Sequence, residues 1–351
     1  MRVFVGLSGG VDSAVSAALL KQDGYDVVGV FIKVWSPDWL PCTWPDERRD
    51  AMRVCAALDI PFLTLDLADK YKRDVADYMI EEYRAGRTPN PDVMCNKEIK
   101  FGAFYDWAMK EGADYVATGH YARVGVRDKV SGDRGSDYSL KPVTYNLLAG
   151  TDRQKDQSYF LWNLKQEQLS HVLFPVGNLH KSEVRKRAAK FRLPVAEKKD
   201  SQGICFLGKL DMKEFLQHYI ETKRGDVLDE NGKVVGTHIG AIFYTIGEHY
   251  MGYVIAKDLE KNTITVSKKK PEEVIQEKTV TLEKVNWVND EPDSSKTYQA
   301  RVRYRQELQE CIIDKKSDFL SIKFERPQIL NSGQSVVIYD NEVCLGGGII
   351  A

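Results

Sequence analysis

The most constraining feature of the sequence is the segment Ser8-Gly9-Gly10-Val11-Asp12-Ser13, which follows an apolar run over residues 3–7. A short run of β-branched and aromatic side chains is typical of a buried strand. The two glycines let the chain turn tightly, and an apolar-periodic helix is predicted to begin at Ser13. A strand, a glycine-rich loop and a helix N-terminus together form an anion site, because free backbone N–H groups and the helix dipole face the ligand.

This loop differs from two common nucleotide-binding motifs. A Walker-type loop needs a Lys after its second glycine, and no Lys stands between residues 6 and 13. A dinucleotide fingerprint needs Gly-x-Gly-x-x-Gly, which is also missing. The segment resembles instead the pyrophosphate loop of enzymes that cleave ATP to AMP and pyrophosphate. Asp12 would then help to hold magnesium, and Ser8 and Ser13 would bind phosphate oxygens; the structural alternative is an ordinary strand-to-helix turn.

Strand and helix patterns alternate over the first third of the chain. Strands are predicted at residues 27–32, 61–65 and 115–118, and helices at residues 46–58, 69–83 and 101–111. This alternation predicts a parallel α/β sheet covered by helices on both faces. Ligands gather at the carboxyl ends of strands in such sheets, where the first loop and Gly119-His120 are both expected to lie.

The later part of the chain departs from this alternation. Two polar stretches, residues 85–97 and 125–138, interrupt it and are predicted to be loops, and helical patterns return over residues 166–191. Short β-rich runs follow at residues 241–245, 263–266, 299–304, 310–313, 319–322 and 335–339. They predict a small central β-rich domain and a C-terminal β-barrel. We expect three domains, at residues 1–200, 201–270 and 271–351.

Composition favours a globular chain without membrane segments. Hydrophobic content is 43% and charged content 29%, which is ordinary for such a protein. No apolar run is long enough to span a bilayer, and the first strand leaves no room for a leader, so a cytoplasmic location is expected. The formal net charge is −1, but residues 178–225 hold twelve Lys/Arg against six Asp/Glu. This local excess is either a polyanion-binding face or a solvated helix surface.

Two of the six cysteines have neighbours that suit a reactive thiol. Cys95 has Asp92 three residues before it and Lys97 two residues after it, and Cys205 follows two lysines and a glycine. A cation favours the thiolate, and a carboxylate can move protons. The ordinary alternative for any lone cysteine is a small buried apolar residue, which is the prediction for Cys42, Cys55, Cys311 and Cys344. The six contain no Cys-x-x-Cys pair, so neither a zinc site nor a dense disulfide framework is predicted.

Five sequence blocks, in order, resemble the tRNA-specific 2-thiouridylase family of the N-type ATP pyrophosphatase superfamily. The blocks are SGGVDS, GRTPNPDVMCNKEIKFG (86–102), ATGHYAR (117–123), DRQKDQSYFLW (152–162) and KKDSQGICFLG (198–208). Residues 236–248 and 300–306 extend the resemblance nearly to the end of the chain. One departure is residues 247–253, GEHYMGY, which are less basic than the family's usual sequence there.

The resemblance implies an ATP-dependent sulfur transfer to tRNA. The C2 carbonyl of the wobble uridine, position 34, would be adenylylated and its oxygen replaced by sulfur, with release of AMP and pyrophosphate. Sulfur would arrive as a persulfide on Cys205, delivered by a sulfur-carrier protein. Cys95 would either attack the activated carbon or attack the persulfide, ending in a Cys95–Cys205 disulfide. Asp92 is the candidate acid/base. The target base would have to leave its stack to reach these groups.

The resemblance also assigns binding residues. ATP, with Mg²⁺, would be bound by Gly6, Leu7, Ser8, Gly9, Gly10, Val11, Asp12, Ser13, Ile32 and Gly119. The tRNA would be bound by Asn90, Pro91, Asp92, His120, Lys155, Asp156, Gln157, Arg303, Tyr304, Arg305 and Gln334. Two other functions compete with this one. The first is a pyrophosphate-loop ligase or amidotransferase acting on a small metabolite, and the second is a catalytically silent tRNA-binding protein.

Overall fold

The computed structural model describes residues 1–41, 43–127, 143–200, 203, 205, 208, 210–316 and 319–351. Cys42 and most of the predicted loop at residues 125–138 lie outside the described residues. The strands are β1 Arg2–Gly6, β2 Asp26–Lys33, β3 Phe62–Asp66, β4 Tyr115–Ala117, β5 Ala122–Val126, β6 Tyr145–Ala149, β7 Val172–Leu173, β8 Gly225–Leu228, β9 Val234–His238, β10 Tyr253–Asp258, β11 Thr263–Ser267, β12 Thr279–Trp287, β13 Thr297–Arg301, β14 Gln309–Lys316, β15 Phe319–Phe324, β16 Ser335–Asp340 and β17 Val343–Ile350.

The helices cover the first sheet and connect it to the other parts of the chain. The α-helical segments are Val11–Gln22, Trp44–Leu58, Ala68–Tyr71, Tyr78–Arg84, Pro91–Met94, Tyr105–Lys110, Gln166–Leu169, Lys181–Lys190, Met212–Gln217 and Pro271–Val274. Two π-helical segments, Lys72–Asp77 and Cys95–Phe104, join their neighbours into continuous helices. None of the helices in the described part of the chain has the length and apolar character needed to span a bilayer.

The first sheet is parallel, as the alternation of strands and helices predicts. Its strand order is β3-β2-β1-β4-β7, and every neighbouring pair is parallel. The central strand β1 is buried through Val3, Phe4 and Val5, because helices cover both faces of such a sheet. The carboxyl ends of β1 and β4 therefore lie side by side at one edge, and each leads into a loop with predicted site residues.

The predicted loop at residues 85–97 is wrong in its second half, which is helical. Asn90 caps a helix that begins at Pro91, because its Oδ1 accepts a hydrogen bond of 3.2 Å from the Val93 N–H. Pro is tolerated at the first helical position, where no intrahelical N–H bond is lost. Cys95 therefore lies on a rigid helix rather than on a loop.

Three other expectations are corrected by the structure. The predicted strand at residues 241–245 is a 3₁₀ turn, Ala241–Phe243. It follows Gly240, whose φ of +142° turns the chain away from the sheet, and its apolar side chains are buried without joining a ladder. The helical pattern over residues 166–191 is interrupted by β7. The strand predicted at residues 299–304 ends at Arg301.

The C-terminal strands close into a six-stranded barrel. Their order is β12-β15-β14-β13-β16-β17, and β12 also pairs with β17. Closure leaves this part of the chain without open edges, which confirms the predicted barrel. The hairpin β5–β6 continues the sheet outward from β17, through the pairs Val343–Leu148 and Cys344–Leu147. A separate sheet of order β10-β11-β8-β9 forms the central part of the chain.

A buried ion pair ties the barrel to the loop after β6. Arg301 at the end of β13 donates a hydrogen bond of 2.5 Å to Asp156, and the two side chains are only 7% and 4% exposed. The same carboxylate accepts hydrogen bonds from the backbone N–H groups of Gly150 and Ser158, at 3.0 Å each. Buried pairs of this kind hold two segments in one geometry.

Asp156→Ala is expected to destabilise the protein strongly. Removal of one partner leaves the Arg301 charge buried and uncompensated, which costs about 3–5 kcal/mol. The midpoint of thermal unfolding, followed by circular dichroism, should fall by several degrees. The control is Glu291→Ala, which breaks the exposed pair with Lys315 and should cost no more than about 1 kcal/mol. Equal shifts in the two variants would contradict the prediction.

Candidate functional site

The loop after β1 forms a turn whose shape depends on glycine. Gly9 has a φ of +70°, and a Cβ added there would lie 2.5 Å from the Glu47 carbonyl oxygen. The helix begins at Val11, two residues before the predicted start at Ser13. No side chain caps its N-terminus, so its first N–H groups and positive dipole end are available to an anion.

Two serines stabilise the curvature of this loop. The Ser8 N–H donates to Ser13 Oγ at 3.3 Å, and the Gly10 N–H donates to Ser8 Oγ at the same distance. The Ser13 hydroxyl donates to the Gly10 carbonyl at 3.2 Å. Both hydroxyl groups therefore lie inside the turn, where they could exchange these bonds for bonds to phosphate oxygens.

Gly119 brings the end of β4 against the loop. A Cβ at this position would lie 2.6 Å from the Ser13 nitrogen and 2.8 Å from the Asp12 carbonyl carbon. Only glycine allows two backbones to approach this closely. Ile32, by contrast, is buried in the core at the end of β2, as are the side chains of Leu7 and Val11, so these residues could meet a nucleotide only through their backbone.

Asp12 points away from the sheet into a polar cluster. Its carboxylate accepts hydrogen bonds from the Tyr121 hydroxyl at 2.7 Å and from Lys181 Nζ at 2.7 and 2.9 Å. Burial raises the pKa of Tyr121, and the neighbouring Asp12 carboxylate raises it further. A carboxylate oxygen beside a phosphate loop is a ligand that Mg²⁺ prefers, usually together with substrate phosphates. No group of three acidic, His or Cys side chains suited to a metal occurs among the described residues.

The structure brings together the two thiols that the sequence analysis selected, although 110 residues separate them. Cys95 Sγ lies 3.6 Å from Cys205 Sγ, and neither is in a disulfide. Cys95 is fully buried, whereas Cys205 is partly exposed. Cys55, Cys311 and Cys344 are buried as predicted.

Cys205 is held by its backbone on both sides. Its N–H donates to Asp92 Oδ1 at 2.8 Å, and its carbonyl accepts from the Tyr71 hydroxyl at 2.9 Å. Asp92 lies one helical turn before Cys95, so the acid, the first thiol and the second thiol share one small volume. Burial raises the pKa of Asp92, which suits a group that takes and returns a proton.

The two thiols have opposite electrostatic character. The Cys95 S–H donates to the Cys205 sulfur, and this hydrogen bond, with help from Lys100, lowers the pKa of Cys205 to about 7. Burial raises the pKa of Cys95 well above its ordinary value. Cys205 is therefore the thiolate of the pair near neutral pH, and thiolates are the nucleophiles of sulfur chemistry.

Lys100 is a site residue that the sequence analysis missed. Burial lowers its pKa, but the adjacent Cys205 and Cys95 outweigh this effect, and the net result is a raised pKa and a retained charge. Its Nζ also lies 3.4 Å from His120 Nε2, and His120 Nδ1 lies 2.7 Å from the Thr118 hydroxyl. Burial and the Lys100 charge hold the pKa of His120 well below its usual range. Lys100 belongs to the sequence block around Cys95, which could have pointed to it. Only the structure of the helix shows that its side chain lies next to the thiols.

The segment before the helix that carries Cys95 is bonded to both the barrel and the central sheet. Gln334 in the barrel donates from Nε2 to the Thr88 carbonyl at 2.9 Å, and the Thr88 N–H donates to the Ser332 carbonyl at 2.7 Å. Lys257 in the central sheet donates to the Gly86 carbonyl at 2.7 Å. Gln334 therefore lies beside the Asn90-Pro91-Asp92 segment that the resemblance assigns to the target base.

The predicted tRNA-binding residues of the loop after β6 have partners within the protein. Lys155 Nζ lies 2.9 Å from Asp200, and Gln157 accepts a hydrogen bond of 3.0 Å from the Tyr121 N–H. Asp156 is buried in its pair with Arg301. Of the basic stretch at residues 178–225, Lys181 and Arg185 also point to Asp200, at 2.8 and 2.5 Å.

The barrel contributes a second group of predicted tRNA-binding residues. Arg303 donates to the Ile246 carbonyl at 2.9 Å. The Tyr304 ring packs against Phe160, with 4.6 Å between centroids. Arg305 is exposed and lies over the Tyr304 ring at 5.1 Å. An exposed Arg beside a partly exposed aromatic ring is a surface on which nucleic-acid bases and phosphates can bind.

Fold and site together define a class of protein: a parallel α/β enzyme with a phosphate loop after its first strand and a pair of adjacent thiols, one of which lies on a neighbouring helix. Three family models match the chain in order. They are described as a tRNA methyl transferase HUP domain over residues 1–209, a tRNA methyl transferase PRC-barrel domain over residues 213–268 and an aminomethyltransferase beta-barrel domain over residues 277–350.

Full-length relatives identify the family. A tRNA-specific 2-thiouridylase MnmA of Nitrosomonas europaea is 42% identical over 99% of this chain and 98% of its own length. Its counterpart in Halalkalibacterium halodurans is 45% identical over 99% of this chain and 94% of its own length. The chain therefore belongs to the tRNA-specific 2-thiouridylase family, as the sequence blocks predict.

We expect Cys205 to react as a thiolate at unusually low pH. The rate of its alkylation by iodoacetamide should rise with pH to a midpoint of about 7, against about 8.5 for an ordinary thiol. In Cys95→Ala the S–H donor is lost, so the midpoint should move to higher pH. Peptide mass spectrometry resolves the individual cysteines.

Cys311→Ala is the matched control for this titration, because Cys311 is buried in the barrel away from the thiol pair. It should leave the midpoint unchanged. A Cys205 midpoint near that of an ordinary thiol, or one indifferent to Cys95→Ala, would contradict the assignment.

Proposed function

We propose that this protein catalyses ATP-dependent 2-thiolation of the wobble uridine, position 34, of tRNA. The observation that carries the proposal is the continuity of the two half-sites. Gly119 packs on the phosphate loop, and the adjacent His120 contacts Lys100, which lies with both thiols. A group activated at the loop can therefore meet sulfur at the cysteines without leaving the site.

The loop half of the site would activate the uridine. The C2 oxygen attacks the α-phosphorus of ATP, a new P–O bond forms, and pyrophosphate leaves. Gly6 to Ser13 would bind the phosphates through N–H groups and hydroxyls, while Gly119 and the backbone at Ile32 border the nucleotide. Asp12 would hold the Mg²⁺ that accompanies ATP and offsets phosphate charge. A carbonyl oxygen leaves poorly, whereas an adenylylated oxygen leaves as AMP.

The thiol half would supply sulfur. Cys205, the accessible thiolate, attacks the outer sulfur of a persulfide on a sulfur-carrier protein and becomes a persulfide itself. Cys95 then attacks the inner sulfur of that persulfide, which forms the Cys95–Cys205 disulfide and releases hydrosulfide. Hydrosulfide adds to C2 and expels AMP, and a dithiol reductant restores both thiols. Lys100 stabilises the anionic sulfur at each stage. Asp92 exchanges protons with the sulfur atoms.

The buried position of Cys95 favours this route over direct attack on the uridine. Its sulfur has no exposed surface but already lies 3.6 Å from the Cys205 sulfur. Attack on the persulfide therefore needs little movement, whereas attack on the uridine carbon would need Cys95 to leave its packing. During attack on the persulfide, the negative charge on sulfur also stays beside the Lys100 ammonium.

Transfer RNA would bind across the face where the barrel meets the first domain. Arg305 and Tyr304 suit phosphate contact and base stacking, with Arg303 beside them, and Asn90-Pro91-Asp92 would receive the flipped base. Asp156, His120, Gln157 and Gln334 have partners within the protein, so we assign them to shaping these surfaces. We place the reaction in the cytoplasm, where thiols stay reduced.

Loss of either thiol should abolish sulfur transfer but not the first half-reaction. With unmodified tRNA, ATP and a persulfide donor, Cys95→Ala and Cys205→Ala should form no 2-thiouridine by nucleoside mass spectrometry. Both should still release pyrophosphate in a tRNA-dependent burst. Cys311→Ala should thiolate normally. Full thiolation by either site variant, or amidation of a small metabolite without tRNA, would favour a different pyrophosphate-loop enzyme.

A single turnover should distinguish the two roles of Cys95. Without reductant, one round with Cys205-persulfide enzyme should leave a Cys95–Cys205 disulfide, detected by peptide mass spectrometry. Cys205→Ser, incubated with ATP and tRNA, should form no covalent complex with tRNA on a denaturing gel. A Cys95–tRNA adduct in that variant would show that Cys95 attacks the uridine directly.

A further inference from the structure

The phosphate loop contains no cation of its own. No Lys or Arg stands between residues 3 and 20, although a bound triphosphate would place about four negative charges beside the loop. Backbone N–H groups and a helix dipole supply only about half a unit of positive charge. The remaining countercharge must come from elsewhere in the fold or from a metal ion.

Three cations lie next to the loop, on elements remote in sequence. Lys181 Nζ is 2.7 Å from Asp12 Oδ1 and 2.8 Å from Asp200 Oδ1. Lys155 Nζ is 2.9 Å from Asp200 Oδ2, and Arg185 Nη2 is 2.5 Å from Asp200 Oδ1. Three positive charges thus share the Asp12 and Asp200 carboxylates, while a third carboxylate, Asp152, accepts a hydrogen bond of 3.0 Å from the Lys181 backbone N–H.

The cluster is placed and exposed as an anion site needs to be. Lys181 is 15% exposed, while Asp12 and Asp200 are 31% and 32% exposed. Lys181 begins the helix Lys181–Lys190, so its backbone is fixed while its flexible side chain can change partner. Asp12 is the second residue of the helix that receives the phosphates, which puts the ammonium at the mouth of the loop.

We propose that Lys181 is a phosphate-binding residue, and that the cluster it forms with Lys155 and Arg185 binds the part of ATP that leaves as pyrophosphate. This inference rests on the proposed function. When ATP enters, the Lys181 ammonium moves from the Asp12 carboxylate to the phosphate oxygens. Asp12 is then free for the cation that accompanies ATP. A charge developing on the leaving group is thus stabilised by preorganised cations.

The test compares two ligands that carry the pyrophosphate group with one ligand that lacks it. Equilibrium binding of ATP, inorganic pyrophosphate and AMP is measured by calorimetry on the full chain. Lys181→Ala should weaken ATP and pyrophosphate binding by about tenfold or more, which is the effect of one lost charge-assisted hydrogen bond. AMP affinity should stay unchanged, and this also reports that the variant is folded.

Two control variants isolate the charge at this position. Lys186→Ala removes an exposed lysine of the same helix and should bind all three ligands as the wild type does. Lys181→Arg keeps the charge and should recover most of the ATP affinity. Loss of AMP and ATP binding in equal measure by Lys181→Ala would overturn the inference, as would unchanged binding of both.

A double-mutant cycle excludes an indirect effect through Asp12. Lys181→Ala exposes the Asp12 charge, which could itself repel phosphate, so the substitution is repeated in an Asp12→Asn background. The loss of pyrophosphate affinity should persist there; its disappearance would make the lysine merely a counterion of Asp12.

If the wild-type protein binds no ATP, the proposed function fails first, whereas normal ATP binding by Lys181→Ala overturns only this inference.

Discussion

The chemistry of this site depends on two hydrogen bonds to the backbone of one residue. Asp92 and Tyr71 hold the N–H and the carbonyl of Cys205, and these two bonds help to place its thiol beside that of Cys95, which comes from a segment 110 residues away. Because these bonds are made to the backbone of Cys205, they hold the residue in place and leave its sulfur free to react. The pKa difference between the thiols, the role of Lys100 and the choice of route for sulfur all follow from this placement.

The same helix that carries Cys95 is positioned by the whole molecule. The chain just before it is bonded to the barrel through Gln334 and to the central sheet through Lys257. The segment that we propose receives the target base, Asn90-Pro91-Asp92, is thus anchored by parts of the chain that we propose bind tRNA. A rigid support of this kind is what an active site needs, because small misplacements of reacting groups cost large factors in rate.

The parallel sheet and the barrel could be predicted from the sequence, because each has a local signature. The pairing of Cys95 with Cys205 has no local signature of this kind and is expected from the family resemblance. The apolar strand before Ser8 and the alternating runs after residue 297 have clear periodicity. The helix at Pro91 could not be predicted as easily, since its prolines and asparagine also favour loops. Lys181 and Asp200 carry no local signal, because their role arises only when the fold brings them to Asp12 across some 170 residues.

The hairpin β5–β6 has a consequence for synthesis of the chain on the ribosome. Its partner β17 lies some two hundred residues further along the chain. Until β17 has been synthesised, β6 presents an unpaired edge, and such edges recruit other strands. The parallel sheet of the nascent first domain can form early. The strand that covers the β6 edge is synthesised only some two hundred residues later. Chaperone dependence and aggregation of C-terminally truncated chains should therefore originate at the hairpin rather than at the barrel.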